Sequence, residues 1–206
     1  MESTWLTWAK RLQGLAATGQ HYTESDYDMD RYREVDGIAR QMIADLASVA
    51  PAALTALPVP EEGYATPKVD VRGAVFRAGR VLLVRERVDG LWTMPGGFAE
   101  IGLTASDNVV KEVREEAGID VEVRKLIQLR HRAKMVGAPD YRDFYKLFFL
   151  CMPRDEMDPV PGPEVLDAAY FDPARLPDMS LGRSGPADVS RALAHVSRPD
   201  LPTDWD

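Results

Sequence analysis

The sequence predicts an α+β fold, a three-layer α/β/α sandwich preceded by a small α-helical hairpin. Three observations predict it. The first 50 residues show only helical periodicity. Residues 51–67 (PAALTALPVPEEGYATP) hold four prolines and a glycine without periodicity. From Lys68 onward, short β-prone runs alternate with two helical patterns. Proline fixes φ and interrupts both helix and ladder hydrogen bonding. The expected organisation is therefore a helical domain over 1–50, a linker over 51–66 and a main domain over 67–206.

Within the first domain, Trp5, Trp8, Leu12 and Leu15 fall at helical spacing over residues 4–17, which predicts packing in a core or a dimer interface. A second, longer helix follows, with Thr23 or Ser25 as its cap and Asp26, Asp28 and Asp30 at its positive end. Tyr32, Val35, Ile38, Ala39, Met42, Ile43 and Leu46 trace its apolar stripe. Two such helices are too small to fold comfortably alone, so they are expected to pack on the larger domain or on a partner chain.

In the main domain, residues 68–77 (KVDVRGAVFR) alternate as a strand, and Ala78-Gly79 turns into a second strand at 81–84. Asp89-Gly90 and residues 91–94 lead into a Pro-Gly-Gly turn and an acidic helix that stops at Gly118. Further strands are expected at 121–130, 141–152 and 168–171, with a polar loop at 131–140, a Pro/Gly-rich acidic loop at 153–164 and a last helix over 186–196.

A hydrophobic content of 45% and a charged content of 28% are ordinary for a globular protein of 206 residues. The formal net charge of −8 counts against a nucleic-acid binder, which normally carries a basic stripe. The single cysteine, Cys151, excludes an intrachain disulfide and lies in an apolar run, as a buried strand residue would. No apolar run of membrane-spanning length is present, so a cytoplasmic protein without a membrane span is expected.

Residues 95–119 (PGGFAEIGLTASDNVVKEVREEAGI) carry the chemistry. Glu112, Glu115 and Glu116 are spaced i, i+3 and i+4, so on a helix their carboxylates share one face. Like charges at that spacing cost a helix about a few tenths of a kcal/mol per pair. A hard cation would relieve the repulsion, and Mg²⁺ is held by few carboxylates, several waters and substrate phosphates. The competing reading is a solvated acidic helix face.

The segment from Gly97 onward resembles the Nudix box, G-x5-E-x7-R-E-U-x-E-E-x-G-U with U an aliphatic residue. Gly97, Glu112, Val113, Glu115, Glu116, Gly118 and Ile119 match it. Leu103 stands where the first box glutamate would be, and Lys111 where the arginine would be. In the family those two positions commonly form an ion pair, so both partners have changed together. Lys111 keeps a positive charge beside Glu112 without arginine's planar fork, so looser orientation of Glu112 is expected. The helical hairpin and Pro-rich linker are similar to the Nudix subfamily with an N-terminal helical extension. Those enzymes hydrolyse nucleoside diphosphates linked to another moiety, ADP-ribose and CDP-choline among them.

That resemblance implies a Nudix α/β/α sandwich with a mixed sheet. It also implies a metal site made of Glu112, Glu115, Glu116 and the Gly96 or Gly97 carbonyl, with Mg²⁺ (or Mn²⁺) as the ion. Glu112 is a further ligand or the general base; the base is left open among the three glutamates. Glu100 is expected at metal or substrate. Glu164 matches a region where family members often supply another carboxylate, against the alternative of a solvated loop acid. Arg85 and Arg87 are the preferred phosphate contacts among Arg72, Arg85, Arg87, Arg130, Arg132 and Lys146. His131 is a weaker candidate base. Trp92, Phe98, Tyr141 and Phe144 would stack a base or, in the favoured reading, pack the core; Phe98 also counts with Gly97 and Glu100 among the substrate contacts.

The expected activity is Mg²⁺-dependent cleavage of a nucleoside diphosphate-linked small molecule, with ADP-ribose first and CDP-choline or a nucleotide sugar next. The products would be a nucleoside monophosphate and a phosphorylated second group. A homodimer built through the N-terminal hairpin is expected. The alternatives are a non-catalytic Nudix-fold ligand sensor and a hydrolase of nucleic-acid ends, the latter disfavoured by the acidic balance.

Overall fold

The structure, a computed structural model, describes residues 3–47, 64–100, 102–137, 140 and 142–206. The chain forms two compact units, Met1–Lys68 with Ala138–Asp143, and Val69–Gly137 with Phe144–Asp206. Most of the expected linker, and Tyr141, lie outside the described residues. Among the described residues no helix is long and apolar enough to cross a membrane.

The first unit holds α1 (Thr4–Tyr22) and α2 (Asp26–Ala47). Ser3 accepts a hydrogen bond from Leu6 N–H and Ser25 one from Asp28 N–H, so each helix begins on a serine cap. Leu6, Ala9, Ile43 and Ala44 form the buried contact between them. Of the two readings of the α1 stripe, core or dimer interface, the core of the hairpin does not use it: Trp5, Trp8 and Leu15 are 60%, 47% and 65% exposed. Small residues on α1 allow α2 a close approach, and the bulky side chains are left on the outer face. The two indoles stack edge to face, 5.0 Å apart.

The second unit is built on a seven-stranded sheet of β1 (Lys68–Arg77), β2 (Arg80–Glu86), β3 (Trp92–Thr93), β4 (Val121–His131), β5 (Phe144–Pro153), β6 (Val165–Phe171) and β7 (Asp204–Trp205). Its order is β3-β2-β1-β5-β4-β7, with β6 pairing antiparallel to β2. The sheet is mixed, because β7 runs parallel to β4 whereas β4 and β5 are antiparallel. Two helices are α3 (Ala105–Ala117) and α4 (Pro186–Ser197), and Arg132–Lys134 make a short 3₁₀ turn. Strand β6 starts three residues earlier than its apolar run, and β7 had no sequence signal, being two residues long.

Each strand sends alternate residues to opposite faces. Val71, Val75, Leu82, Val84, Phe149 and Cys151 pack with Val109, Val113 and Ala117 of α3. Their neighbours Ala74, Phe76, Val81, Leu83, Phe148 and Leu150 pack with Val189 and Ala192 of α4. A helix covers each face, which makes the α/β/α sandwich. Strand β1 is therefore buried on both sides from Asp70 to Phe76, although its sequence alternates. Burial pushes the Cys151 thiol up to about 12, so it is an inert core residue.

The segment 95–99 runs along β1: Gly73 N–H donates to Pro95 O, Val71 N–H to Gly97 O and Ala99 N–H to Val69 O, each at 2.8 Å. Asp70 and Phe98 form an antiparallel bridge. Gly96, with φ +144°, lies so close that a Cβ would stand 2.0 Å from Val71 O. Gly96→Ala is expected to destabilise the protein by about 1–3 kcal/mol from backbone strain, with steric displacement added. Urea unfolding of the variant checks this, and an unchanged midpoint would refute it.

Candidate active site

Helix α3 starts on Thr104, whose Oγ1 accepts from Asp107 N–H, and ends on Gly118 in the left-handed conformation. Successive residues turn by about 100° on such a helix, which puts Glu112, Glu115 and Glu116 on one side. Val109, Val113 and Ala117 occupy the adjoining, buried side. A shallow groove lined by Asp107, Val110, Arg114, Glu122 and Arg154 lies across the helix and shares no residue with the glutamates.

The segment 95–99 meets this acidic side directly. Glu116 is buried, and its Oε2 accepts from Gly96 N–H at 2.8 Å. Glu112 places its carboxylate against Gly97, where a Cβ would stand 2.9 Å from Oε1. Glu115 is exposed, and its Oε2 takes Lys111 Nζ at 2.7 Å. The Pro/Gly-rich loop docks on the far end of the helix: Gly162 N–H donates to Glu116 O and Val160 N–H to Ala117 O. A Cβ on Gly162 would stand 1.8 Å from Glu115 O. Glu164, two residues on, is exposed, and its charge reaches Glu112.

Burial, foremost, drives the Glu116 carboxyl up to about 8, helped by the charges of Glu112 and Glu86 and opposed by Arg72 and the Gly96 N–H. Burial also raises Glu112, helped by Glu115 and Glu164 and opposed by Arg72 and Lys111. Buried carboxyls that resist ionising together suit a hard cation, and every donor on offer here is an oxygen. The donor chemistry fits a divalent metal. Among the described residues no group of three or more His, Cys, Asp or Glu stands ready-gathered as a metal site.

Lys111 keeps a positive charge within reach of Glu112, while its ammonium bridges Glu115 and Glu100, the latter at 3.1 Å, because i and i+4 face each other along the helix whereas neighbours do not. Leu103 is 42% exposed.

The remaining candidates divide by position. Arg85 Nε donates to Gly90 O within its own turn, and Arg87 Nε to Pro163 O in the loop that carries Glu164. Phe98 packs edge-on against buried Phe144, with ring centres 5.2 Å apart, and stays partly exposed. Trp92 packs edge-on against Phe171. Arg130 pairs with Asp204, and the His131 backbone N–H donates to Asp206, so both belong to the strap that holds β7. Arg132 is buried against Gly182.

Arg72 and Lys146, read as possible phosphate contacts, are buried in a triad with Asp70. Arg72 makes two bonds to Asp70, at 3.0 and 2.9 Å, and donates to Met94 O, while Lys146 Nζ reaches Asp70 Oδ1 at 2.7 Å. Burial and the neighbouring Arg72 charge lower Lys146 to about 7 against the pull of Asp70, whereas Arg72 stays charged and attracts both Glu112 and Glu116. The sequence signal for Asp70 was present but misleading, since Asp and Arg alternating with valines reads as a solvent face. Asp70→Ala would leave the buried Arg72 charge uncompensated, at a cost of about 3–5 kcal/mol. Denaturant unfolding measures it, and a loss well under 1 kcal/mol would refute the triad's buried charge pairing.

With this geometry in view, the chain's relatives are informative. Residues 66–193 match the NUDIX domain family, and residues 3–57 match the UDP-X-like, N-terminal oligomerisation domain. YjhB of Bacillus subtilis, provisionally named an ADP-ribose pyrophosphatase, is 39% identical over all of this chain and 99% of its own length. The crystal structure of an ADP-ribose pyrophosphatase from Streptococcus suis is 34% identical, covers 68% of this chain and 100% of its own, and has a TM-score of 0.61. The crystal structure of a UDP-X diphosphatase shares the fold over 100% of both chains, with a TM-score of 0.62 at 24% identity. The matched domains, the full-length relative and the acidic helix seated on a Gly-Gly turn agree: this chain belongs to the Nudix hydrolase family, with an N-terminal helical domain ahead of the Nudix domain.

Proposed function

We propose that the chain is a Mg²⁺-dependent hydrolase of the pyrophosphate bond in nucleoside diphosphates linked to another moiety. ADP-ribose is the first substrate, with CDP-choline or a nucleotide sugar next. The products are a nucleoside monophosphate and a phosphorylated second group. The observation that carries the reaction class is the seating of Glu112 and Glu116 on Gly97 and Gly96, with Glu115 on the same side of α3. The likeness to relatives named for ADP-ribose supports the choice of substrate.

Glu112, Glu115, Glu116 and the Gly97 carbonyl would hold the cation, with Glu164 as a further carboxylate from the docked loop. When bound, the ion supplies charge neutralisation on the phosphates and a lowered pKa for a coordinated water. Mn²⁺, with the same oxygen chemistry, would substitute. The buried base of the site, closed by Val109, Val113 and Ala117, excludes water from behind the carboxylates. One of the three glutamates takes the proton of the attacking water. Arg85, Arg87, Phe98 and Glu100 are assigned to the substrate's phosphates and second moiety, Glu100 through the loop it anchors. The outward Trp5, Trp8 and Leu15 of α1 support a homodimer through the helical unit, and the lone buried Cys151 fits a reducing, cytoplasmic setting.

Incubation with Mg²⁺ and a panel of ADP-ribose, CDP-choline, nucleotide sugars and nucleoside triphosphates is expected to release nucleoside monophosphate from ADP-ribose, and EDTA to stop it. Ligand binding without turnover on any of them would replace the enzyme with a ligand sensor. Glu115→Gln and Glu116→Gln should each reduce turnover by orders of magnitude while circular dichroism stays unchanged; near wild-type rates would overturn the metal assignment. Sedimentation of the full chain should give a dimer, and a monomer would remove the proposed interface.

A further inference from the structure

Glu100 lies outside the glutamate positions of the Nudix box, yet α3 holds it at both ends. Its backbone N–H donates to Asn108 Oδ1 at 2.8 Å, and its carboxylate Oε1 takes Lys111 Nζ at 3.1 Å. Asn108 is 1% exposed, and its amide also donates to Thr104 O at 3.0 Å and Leu103 O at 3.4 Å. One buried amide thus laces the loop between Glu100 and Thr104 onto the first turn of the helix. The same ammonium that holds Glu100 holds Glu115 Oε2 at 2.7 Å. Lysine suits this double duty, because three rotatable donors on a compact head can serve two carboxylates on different elements. Leucine at 103 can offer no charge, so the only acid of this loop that meets Lys111 is Glu100.

We propose that Glu100 and Lys111 form a positioning pair that fixes the loop after Gly97 onto α3 and aims Glu115 at the cation. This deepens the metal-dependent reading above and rests on it. With Oε2 held by Lys111, Glu115 keeps Oε1 for the ion, and the anchored loop keeps Gly97 against the Glu112 carboxylate. Neither residue touches the reacting atoms; each acts through Glu115 and the loop. Exposed ion pairs contribute little to global stability, so the pair's effect should be felt in metal binding and turnover rather than in unfolding.

The test titrates Mn²⁺ into the full chain, following the free-ion signal by electron paramagnetic resonance, and measures kcat and KM on the substrate the wild type cleaves. Lys111→Met is expected to weaken Mn²⁺ binding by about tenfold or more, the scale seen when a group orienting a metal ligand is lost. It should lower kcat while KM stays near wild type. Lys111→Arg should restore both. Glu100→Gln should weaken binding too, and the double variant should be no worse than Lys111→Met alone, since both break one bridge. The unfolding midpoint in EDTA should not move. Unchanged or tighter Mn²⁺ binding in Lys111→Met, as expected if the ammonium merely repels the ion, would overturn the proposal, as would additive losses. A wild type that binds no Mn²⁺ and cleaves nothing would sink the metal-dependent reading itself, and the pair with it; a loaded, active wild type beside indifferent variants would sink the pair alone.

Discussion

The approach of residues 95–99 to β1 is the constraint on which the candidate site depends. Three backbone hydrogen bonds lay the Pro-Gly-Gly segment along the strand, with Gly96 against Val71 at a distance that excludes any side chain. The same strand packs Val71 and Val75 against Val109 and Val113 of α3. Segment and helix are thus both referenced to β1. That common reference lets the Gly96 N–H meet Glu116 and lets Glu112 rest on Gly97. A carboxylate buried at this depth needs a donor, and the backbone supplies it without a competing side chain.

Charge is arranged in two tiers. The buried tier is Asp70, Arg72 and Lys146, two basic side chains bonded to one carboxylate. The outer tier is the acidic side of α3, in which Glu112 and Glu116 repel each other and are partly offset by Arg72. Arginine buried on β1 is permanently charged, so it lowers the cost of crowding carboxylates without closing their lone pairs to a ligand. Lys111, Glu100 and Glu115 form a separate, solvent-facing bridge at the rim. The acidic loop completes the rim through backbone bonds to the carbonyls of Glu116 and Ala117, so the element carrying Glu164 is tied to the helix carrying the other glutamates.

Much of this was legible from residue spacing. The i, i+3, i+4 glutamates, the Thr104 cap and the Gly118 stop define α3 locally, because capping and helical phase depend only on nearby chain. The strands at 68–77 and 81–84 and the turn at Ala78-Gly79 are local in the same sense. What misled was burial. Asp70 and Arg72 alternate with apolar residues as on a solvent face, but β1 lies mid-sheet with a helix over each side. Trp5, Trp8 and Leu15 trace a helical stripe that a core or a dimer interface would equally produce, and the hairpin closes on Leu6 and Ala9.

The sequence by itself determined the family, the position and phase of the acidic helix, and the break between a helical and a sheet-containing part. These follow from short-range rules: periodicity, caps, proline and fixed motif spacing. Only the tertiary structure decided which charge pairs with which. Lys111 chose Glu115 and Glu100 over Glu112, Arg87 reached Pro163 across 76 positions, and Lys146 found Asp70 across as many. Such pairings depend on where distant segments are brought to the sheet and on how deeply each charge is buried, and residue spacing along the chain encodes neither.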